Sequence, residues 1–308
     1  MLPHPLRAGL AGLIDYAGLF PPASLDLPTT LSHFRDYATS AEQWMLGRLI
    51  VPLPQLGALS SLVDGFEAPA RPAWTVSLLL AADTPPADVS GVARQFNDRY
   101  DARGVAVVSV EFPAADAAAV ERFATDVPPW LERYVEIAWG EGGDAALSAV
   151  ARTGCYAKIR TGGITPDRFP PSDTVASFVR GAIERQVPFK ATAGLHHPLR
   201  NRYPLTDEPG GASARMHGFL NLLVATAVAQ RDPSVAADIL CAILDESSPA
   251  AFTMDDSGLS WKDQRLSHDD LVTARAQGLR SVGSCSFQEP VEDLRRMGWW
   301  PKPEAGSP

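Results

Sequence analysis

Two cations stand two residues apart near the end of one short apolar run. In the segment YAKIRT, Lys158 and Arg160 would point to the same face of an extended strand. A buried strand seldom carries two cations without an anionic partner. Thr161, Gly162 and Gly163 follow, and their backbone N–H groups can form a concave nest for an anion. The segment therefore predicts a carboxylate or phosphate site; the alternative is a strand that ends in two solvated cations.

A third cation, Lys190, lies in the next apolar run, FKATAG, where Thr192 shares its face. If the two runs are neighbouring strands, Lys158 and Lys190 face each other across one edge of a site. Two ammonium groups this close lower each other's proton affinity, so one of them would be a neutral amine near neutral pH. A neutral amine attacks carbonyl carbons and forms a Schiff base. The alternative is a lysine whose ammonium group extends to solvent at the rim.

The segments KIRTGG and FKATAG resemble the two lysine strands of class I aldolases of the deoxyribose-phosphate aldolase type. In that family, a lysine on the sixth barrel strand forms the Schiff base and a second lysine on the seventh strand perturbs it. The resemblance covers these segments only, and it implies Lys158 as the Schiff-base residue and Lys190 as the perturbing one. It places the family's strand-four acid at or near Glu111, whereas Arg160 and Thr161 depart from the family's usual residues. Aldolase-type lyase chemistry is what the resemblance implies.

Two acids, Glu111 and Glu136, lie late in two further apolar runs. A carboxylate in this position can act as a general base or bind a cation. An isolated glutamate on a buried strand is disfavoured unless it is paired, and the expected partners are Lys158, Arg160 and Lys190. The acids therefore predict proton transfer in the site, and an ion-pair cluster that only fills the barrel mouth is an equal alternative.

Adjacent histidines, His196 and His197, directly follow the lysine run, in GLHHP. Adjacent residues point in different directions, so at most one of them would face a ligand. With Asp15, Glu111 and Glu136, one histidine could complete an oxygen-and-imidazole site for a divalent metal. Lysine chemistry needs no cofactor, so a divalent metal belongs to this second hypothesis only.

Further candidate contacts lie where other runs end. The segment GSCS contains Ser284 and Ser286 just before a predicted helix, where barrels commonly hold phosphate. No histidine is close in sequence to Cys285, which is interpreted as a packed small residue. The pair His217 and Asn221 has two interpretations: the side chains reach from the insertion into the site, or, as we prefer, they form a satisfied polar pair beneath a helix. The predicted substrate contacts are Asp15, Arg160, Thr161, Gly162, Gly163, Thr192, His196, Ser284 and Ser286.

The elements that must position these residues are short apolar runs that alternate with amphipathic segments. Such runs, rich in Val, Ile and aromatic residues and bounded by Gly or Pro, are typical of buried strands. They lie at 13–18, 47–52, 74–80, 105–112, 134–139, 156–161, 187–193 and 279–285. Strands that alternate with helices form right-handed βαβ units, and eight of them predict a (β/α)8 TIM-type barrel. An open doubly wound sheet is the competing architecture.

The stretch between the last two strands is too long for one helix. We expect a helical insertion at about 196–278, with helices at 215–230, 235–244 and 269–277 and a hairpin at 252–261. A final helix is expected at 290–297, because a proline favours its start. The apolar stretch 218–229 should be buried against the barrel or against a second copy of the chain, so a homo-oligomer is possible. Residues 1–300 would form one domain, followed by a frayed tail at 301–308.

Composition limits the partners. The 308 residues carry 27 Lys and Arg against 36 Asp and Glu, a formal net charge of −9, which disfavours nucleic acid and anionic membranes. Three scattered cysteines and no basic–apolar leader predict a cytoplasmic protein. Three hypotheses follow: a lysine-imine lyase acting on a small anionic carbonyl compound, a metal-dependent isomerase, lyase or hydrolase, and a non-catalytic binder of an anionic metabolite.

Overall fold

A closed barrel of eight parallel strands forms the centre of the molecule. The computed structural model describes residues 4–66, 70, 72–138, 140, 142–206 and 211–299. The barrel strands are β1 (Ile14–Tyr16), β2 (Leu46–Pro52), β3 (Trp74–Leu79), β4 (Val105–Ala114), β5 (Glu132–Ile137), β6 (Tyr156–Arg160), β7 (Phe189–Thr192) and β13 (Leu279–Ser284). Strand β13 pairs with β7 on one side and with β1 on the other, which closes the sheet. The TIM-type barrel is therefore confirmed, and the open-sheet alternative is wrong.

Helices cover the outside of this barrel. Most of them bury one face only, and several begin at a side-chain cap, as Asp26 and Asp116 show by accepting hydrogen bonds from N–H groups of the first turn. The helices are α1 (His4–Leu10), α2 (Leu27–Thr39), α3 (Leu56–Asp64), α4 (Val89–Tyr100), α5 (Ala117–Asp126), α6 (Gly143–Thr153), α7 (Ser172–Glu184), α8 (Phe219–Arg231), α9 (Ala237–Asp245), α10 (His268–Gln277) and α11 (Gln288–Arg296). Among the described residues, no helix has the length and apolarity needed to cross a membrane.

Two small sheets lie between β7 and β13. Strands β8 (Asn201–Pro204) and β9 (Ser213–Met216) form a hairpin. Strands β10 (Phe252–Asp255), β11 (Gly258–Trp261) and β12 (Gln264–Leu266) form an antiparallel sheet, so the predicted hairpin at 252–261 is confirmed and gains a third strand. The helix predicted from residue 215 is wrong in its start. Residues up to Met216 pair with β8, and the helix begins only at Phe219.

Other boundaries shift by about two residues. Strand β5 begins at Glu132 rather than at residue 134, and α11 begins at Gln288 rather than at residue 290. The predicted end of the fifth run, Trp139, and the tail at 301–308 lie outside the described residues. Helix α8 is buried from Phe219 to Ala229 and packs against α7, α9 and α10. Its apolar surface is thus covered within this chain.

Strand alternation separates an apolar shell from a polar interior. Val135, Ala157, Ile159, Ala191 and Val282 are almost completely buried. They alternate along β5, β6, β7 and β13 with residues of opposite character, and successive strand residues point to opposite faces. The apolar set packs beneath the helices, while the alternating polar set points into the barrel. The interior of this barrel is therefore where its ionisable groups meet.

Candidate active site

A continuous chain of ion pairs crosses the barrel interior. The Lys190 Nζ atom lies 2.6 Å from Asp15 Oδ2 and 2.7 Å from Glu111 Oε1. The Lys158 Nζ atom lies 2.8 Å from Glu111 Oε2 and 2.9 Å from Glu136 Oε2. Glu111 thus bridges both ammonium groups, one with each carboxylate oxygen. The prediction that the two lysines of neighbouring strands meet in one place is confirmed.

Strand register explains this meeting. Glu136 of β5, Lys158 of β6 and Lys190 of β7 are direct partners across three parallel strands. They therefore point inward at one level. Ring closure brings Glu111 of β4 and Asp15 of β1 to the same level from the other sides of the barrel. No sequence spacing indicates the Asp15 contact, because it joins residues 175 positions apart.

Asp15 is fixed by its surroundings. Its Oδ1 atom accepts a hydrogen bond from the Arg48 backbone N–H at 2.8 Å, and its Oδ2 atom accepts one from Ser281 Oγ at 2.7 Å. A Cβ atom on Gly47 would lie 2.4 Å from Oδ1, so only glycine allows this approach. Both carboxylate oxygens are occupied and the residue is only 2% exposed. Asp15 therefore holds Lys190, and its prediction as an open substrate contact is not supported by this geometry.

Glu111 is held as a carboxylate at the centre of the network. Besides the two lysines, Ser77 Oγ donates to its Oε1 atom at 2.9 Å. Burial alone would raise the pKa of Glu111, but Lys158 and Lys190 outweigh burial and hold this pKa well below its usual range. The pKa of Glu136 is likewise lowered, because Lys158 and Arg160 outweigh its burial.

The pKa of Lys190 shifts in the direction opposite to the sequence-based prediction. Burial lowers the pKa of this lysine, but Asp15 and Glu111 together outweigh burial, and the net shift is upward. The Lys190 Nζ atom also lies 5.3 Å from the centre of the Tyr134 ring, a distance that favours a cation. The expected mutual lowering by two ammonium groups is therefore wrong for Lys190, because a carboxylate stands between them.

The two lysines differ in their distance from solvent. Lys190 has 1% of its side chain exposed and its partners are equally buried. Lys158 is 4% exposed, but its partner Glu136 is 20% exposed, and Arg160, whose Nε lies 3.4 Å from Glu136 Oε1, is 58% exposed. The network thus runs from a closed end at Asp15 to an open end at Arg160, at the carboxyl end of β6.

The predicted anion nest after β6 loses one of its three N–H donors, that of Thr161. The Thr161 N–H donates to Thr192 O at 2.8 Å, and the Thr161 hydroxyl donates to Ala193 O at 2.9 Å. Neither Gly162 nor Gly163 has a positive φ, so the segment does not adopt the αR–αL form of a nest. A Cβ atom on Gly162 would lie 2.6 Å from the Phe169 ring. This glycine therefore serves close packing.

Thr192 occupies the level above the lysines, directly beside Arg160. Its hydroxyl oxygen is buried and has no hydrogen-bond partner among the described residues. Arg160 and Thr192 are thus two of the predicted contacts that lie side by side at the open end.

His196 lies at the end of β13. Its Nδ1 atom is 2.9 Å from Ser284 Oγ, and Ser284 Oγ donates its proton to Ser286 O at 2.6 Å. The Nδ1 atom must therefore carry the imidazole proton, which leaves Nε2 as the acceptor. Burial, with a smaller contribution from His197, lowers the pKa of His196 to about 4. The imidazole is consequently neutral at physiological pH.

The groups expected to hold phosphate near β13 are engaged with one another. Besides its bonds to His196 and Ser286 O, the Ser284 hydroxyl accepts a hydrogen bond from the Ser286 N–H at 3.3 Å. The Ser286 hydroxyl accepts one from the Glu289 N–H. Cys285 Sγ lies 3.8 Å from His196 Nδ1, a neighbour that sequence reasoning missed because 89 residues separate the two.

Polar residues elsewhere agree with their predicted roles. His197 points away from the barrel toward Asp293, 2.6 Å from its Nδ1 atom, so only one of the two histidines faces the mouth. Asn221 accepts from the Arg200 N–H and donates to two backbone carbonyls. His217 contacts Arg200 and Pro170 O. The interpretation of these last residues as satisfied polar groups is confirmed.

Several interior residues escaped the sequence analysis. The Tyr134 hydroxyl donates to Glu132 Oε2 at 2.9 Å, and Arg48 donates to the same oxygen at 2.7 Å. Glu132 and Tyr134 stand four and two residues before Glu136, so the alternation along β5 was the signal that could have found them. Ser77 and Ser281 carry no such signal, since a buried serine is common.

Among the residues that the structure describes, no group of three His, Cys, Asp or Glu side chains is arranged to hold a metal ion. The ammonium group of Lys158 lies between the two glutamates that the metal hypothesis requires. Comparison of the chain with protein-family models, with curated proteins and with solved structures gives no match.

Proposed function

We propose that this protein is a lyase of the aldolase type that acts on a small anionic carbonyl compound through a Schiff base on Lys158. One observation carries the proposal. The Lys158 Nζ atom lies between two carboxylates, Glu111 and Glu136, at 2.8 and 2.9 Å, next to the exposed guanidinium of Arg160. An amine with a proton acceptor on one side and an anion anchor beside it is the arrangement that imine formation needs.

The open end of the network provides substrate binding. Arg160 and the unpartnered Thr192 hydroxyl would hold the carboxylate or phosphate of the substrate. This contact would bring the carbonyl carbon toward Lys158. Lys190 and Asp15 would stay buried beneath as a fixed ion pair. They would keep Glu111 in place without touching the substrate.

Glu136 is the group suited to proton transfer, since it is the most exposed carboxylate of the network. It takes one proton from the Lys158 ammonium group, and the neutral amine attacks the carbonyl carbon. Glu136 returns that proton to the carbonyl oxygen. It then takes a second proton from nitrogen and gives it to the hydroxyl group, which leaves as water. One ammonium group and one carbonyl thus become one iminium group and one water molecule.

Carbon–carbon cleavage follows from the iminium group. Glu136 takes the proton of the hydroxyl group on the β carbon, counted from the iminium carbon. A C=O bond forms at the β carbon, the bond between the α and β carbons breaks, and its electrons move toward nitrogen to give an enamine. The aldehyde leaves, Glu136 protonates the enamine carbon, and water releases the second product from Lys158. Each proton that Glu136 removes is returned, so the residue ends as it began.

Borohydride trapping tests the proposal. The protein is incubated with pyruvate, glyoxylate or dihydroxyacetone phosphate, with acetone as an uncharged comparison, then reduced and digested. We expect a reduced adduct on Lys158 that is favoured by the anionic carbonyls and absent in Lys158→Met. The exposed Lys262, which is 56% accessible, serves as the internal control for nonspecific amine labelling. An adduct on Lys190, or equal labelling of Lys158 and Lys262, contradicts the proposed mechanism.

Non-catalytic binding of an anionic metabolite is the second candidate. This candidate is favoured because every carboxylate in the network is paired with a cation, as a purely structural ion-pair cluster would be. The three cations are Lys158, Lys190 and Arg160, and the three carboxylates are Asp15, Glu111 and Glu136. A thermal shift with an anionic metabolite, without turnover and without trapping, would favour this candidate. Metal analysis after supplementation with divalent ions separates both from the metal-dependent hypothesis.

A further inference from the structure

A cavity of about 550 Å³ opens at the N-terminal end of the barrel, opposite the proposed active site. It lies among the starts of β1, β2, β3 and β13, with α1 and α10 at its sides. Its volume is within the range of small-molecule sites. In TIM-type barrels this end normally serves stability, because the reacting groups gather at the carboxyl ends of the strands. A large cavity here therefore needs an explanation.

Positive charge is concentrated on the cavity wall. Arg48, Arg275 and Arg280 line it. Glu132 lies 2.7 Å from Arg48 and 3.8 Å from Arg280, and it is the carboxylate that these guanidinium groups share among the described residues. Asp15 also borders the cavity, but its charge is already paired with Lys190. Three guanidinium groups thus line the wall, and two of them, Arg48 and Arg280, share the Glu132 carboxylate.

Arg275 is a buried guanidinium group that is repelled by the neighbouring Arg280. Its terminal nitrogens donate to the backbone carbonyls of Leu279, Arg280 and Ala11, and its buried Nε atom has no hydrogen-bond partner in the described part of the chain. Burial, followed by repulsion from Arg280, lowers the pKa of Arg275 to about 10. An anion in the cavity would offset this repulsion between like charges.

Arg280 is the residue best placed to bind such an anion. One-third of its side chain is exposed. Its contacts are long: a 3.4 Å hydrogen bond to Ala276 O, the 3.8 Å approach to Glu132, and the Tyr156 ring, whose centre lies 6.0 Å from Cζ. Its planar fork therefore keeps donors that a carboxylate can accept in pairs. Arg48, with 18% exposure, stands across the same wall.

Part of the remaining wall is apolar and includes aromatic rings, beside the polar residues Gln43 and Thr75. Phe34, Leu46, Pro72, Trp74 and Val272 line the cavity. Val272 is 45% exposed, unusual for a large apolar side chain. A ligand that suits both parts of the wall carries an anionic group and a flat apolar body.

We propose that this cavity is a second small-molecule site, which binds a carboxylate with an aromatic or branched apolar body through Arg280 and Arg48. The site is separate from the Schiff-base chemistry at Lys158, on the other side of the buried ion pairs. Tyr134, Asp15 and Ser281 border the cavity. Tyr134 and Asp15 contact Lys190, and Ser281 donates a hydrogen bond to Asp15.

Titration calorimetry of the full chain with benzoate tests this proposal, with benzamide as the uncharged probe of the same shape. We expect benzoate to bind and benzamide to bind at least about tenfold more weakly, since charge-assisted hydrogen bonds to Arg280 are lost. Arg280→Gln should weaken benzoate binding by a similar factor. The control Arg152→Gln removes an exposed arginine that pairs with Glu121 outside the cavity, and it should leave binding unchanged.

A second variant keeps the test independent of the charge. Ala276 lines the cavity from the exposed face of α10, so Ala276→Leu should block the site without disturbing the helix. Lys158→Met should retain benzoate binding, which separates this site from the proposed active site. Equal affinity for benzoate and benzamide, or full binding by both Arg280→Gln and Ala276→Leu, would overturn the proposal.

Discussion

Replacing Lys190 by Met removes the most buried cation of the network while keeping much of its volume. The Lys190 Nζ atom lies within 2.7 Å of both Asp15 and Glu111, and all three side chains are at most 2% exposed. The wild-type network balances three cations against three carboxylates, so the variant leaves one buried negative charge uncompensated. Breaking a buried pair in this way costs about 3–5 kcal/mol, a large part of the stability of a typical domain.

The sign of the pH dependence follows from Glu111. Its pKa in the folded protein is lowered from the ordinary value of 4.5, so the stability it contributes is full above that value and is lost as the pH falls below it. Without Lys190, burial is opposed by Lys158 alone and this contribution shrinks. Glu111 titrates identically in the two unfolded chains, so the stability difference between wild type and Lys190→Met should be largest near neutral pH and become smaller as the pH falls through the pKa of Glu111 in the folded variant.

Urea denaturation at about pH 7.5 and about pH 4 measures both effects. The matched control is Arg152→Met, which removes an ion pair of similar length, 2.7 Å, whose partners are more than half exposed. It should cost less than about 1 kcal/mol at either pH. The double variant Asp15→Asn with Lys190→Met should recover part of the loss, because it removes the Asp15 carboxylate, which has lost its partner Lys190, whereas Glu111 keeps Lys158. A cost for Lys190→Met below about 1 kcal/mol, or one that does not vary with pH, would refute the reasoning.

Further predictions concern packing, buried hydrogen bonds and acid sensitivity. Gly47→Ala should destabilise the protein by about 1–3 kcal/mol in urea denaturation, because its Cβ atom would collide with the Asp15 carboxylate. The control Gly57→Ala, on α3, adds a Cβ atom in open space, so it should be neutral or stabilising in the same measurement. Asn221→Ala breaks three buried hydrogen bonds and should cost about 2 kcal/mol or more; a smaller loss in urea denaturation would show that other groups replace these bonds. Burial lowers the pKa of His196 and His217 to about 4. Between pH 6.5 and pH 4 the unfolded chain binds protons at these histidines and the folded chain does not, so the free energy of unfolding should fall as the pH drops through this range. Replacing either histidine by Asn should flatten this dependence by up to about 1.4 kcal/mol per pH unit, and an unchanged slope would contradict the assignment.

The barrel and the meeting of the two lysines followed from local pattern. Short apolar runs that alternate with amphipathic segments leave few topologies open, and a period of two fixes which strand residues share a face. Lys158 and Lys190 stand at matching positions of neighbouring strands, so their proximity needed only the strand order. Boundaries were less certain, and the start of α8 was wrong because the β8–β9 hairpin takes up residues that a helical pattern also fits.

Charge state, by contrast, was decided by the tertiary structure. The sequence places cations and carboxylates at strand ends but does not say which touch, and Asp15 reaches Lys190 only because the barrel closes. That contact reverses the expected direction of the Lys190 pKa, because opposite charges at hydrogen-bond distance outweigh a like charge beyond them. The predicted anion nest after β6 loses its Thr161 donor for a similar reason, since the neighbouring strand already accepts a hydrogen bond from the Thr161 N–H. Sequence alone determined which side chains share a face; only ring closure determined their partners, because electrostatic energies depend on distances that chain spacing does not set.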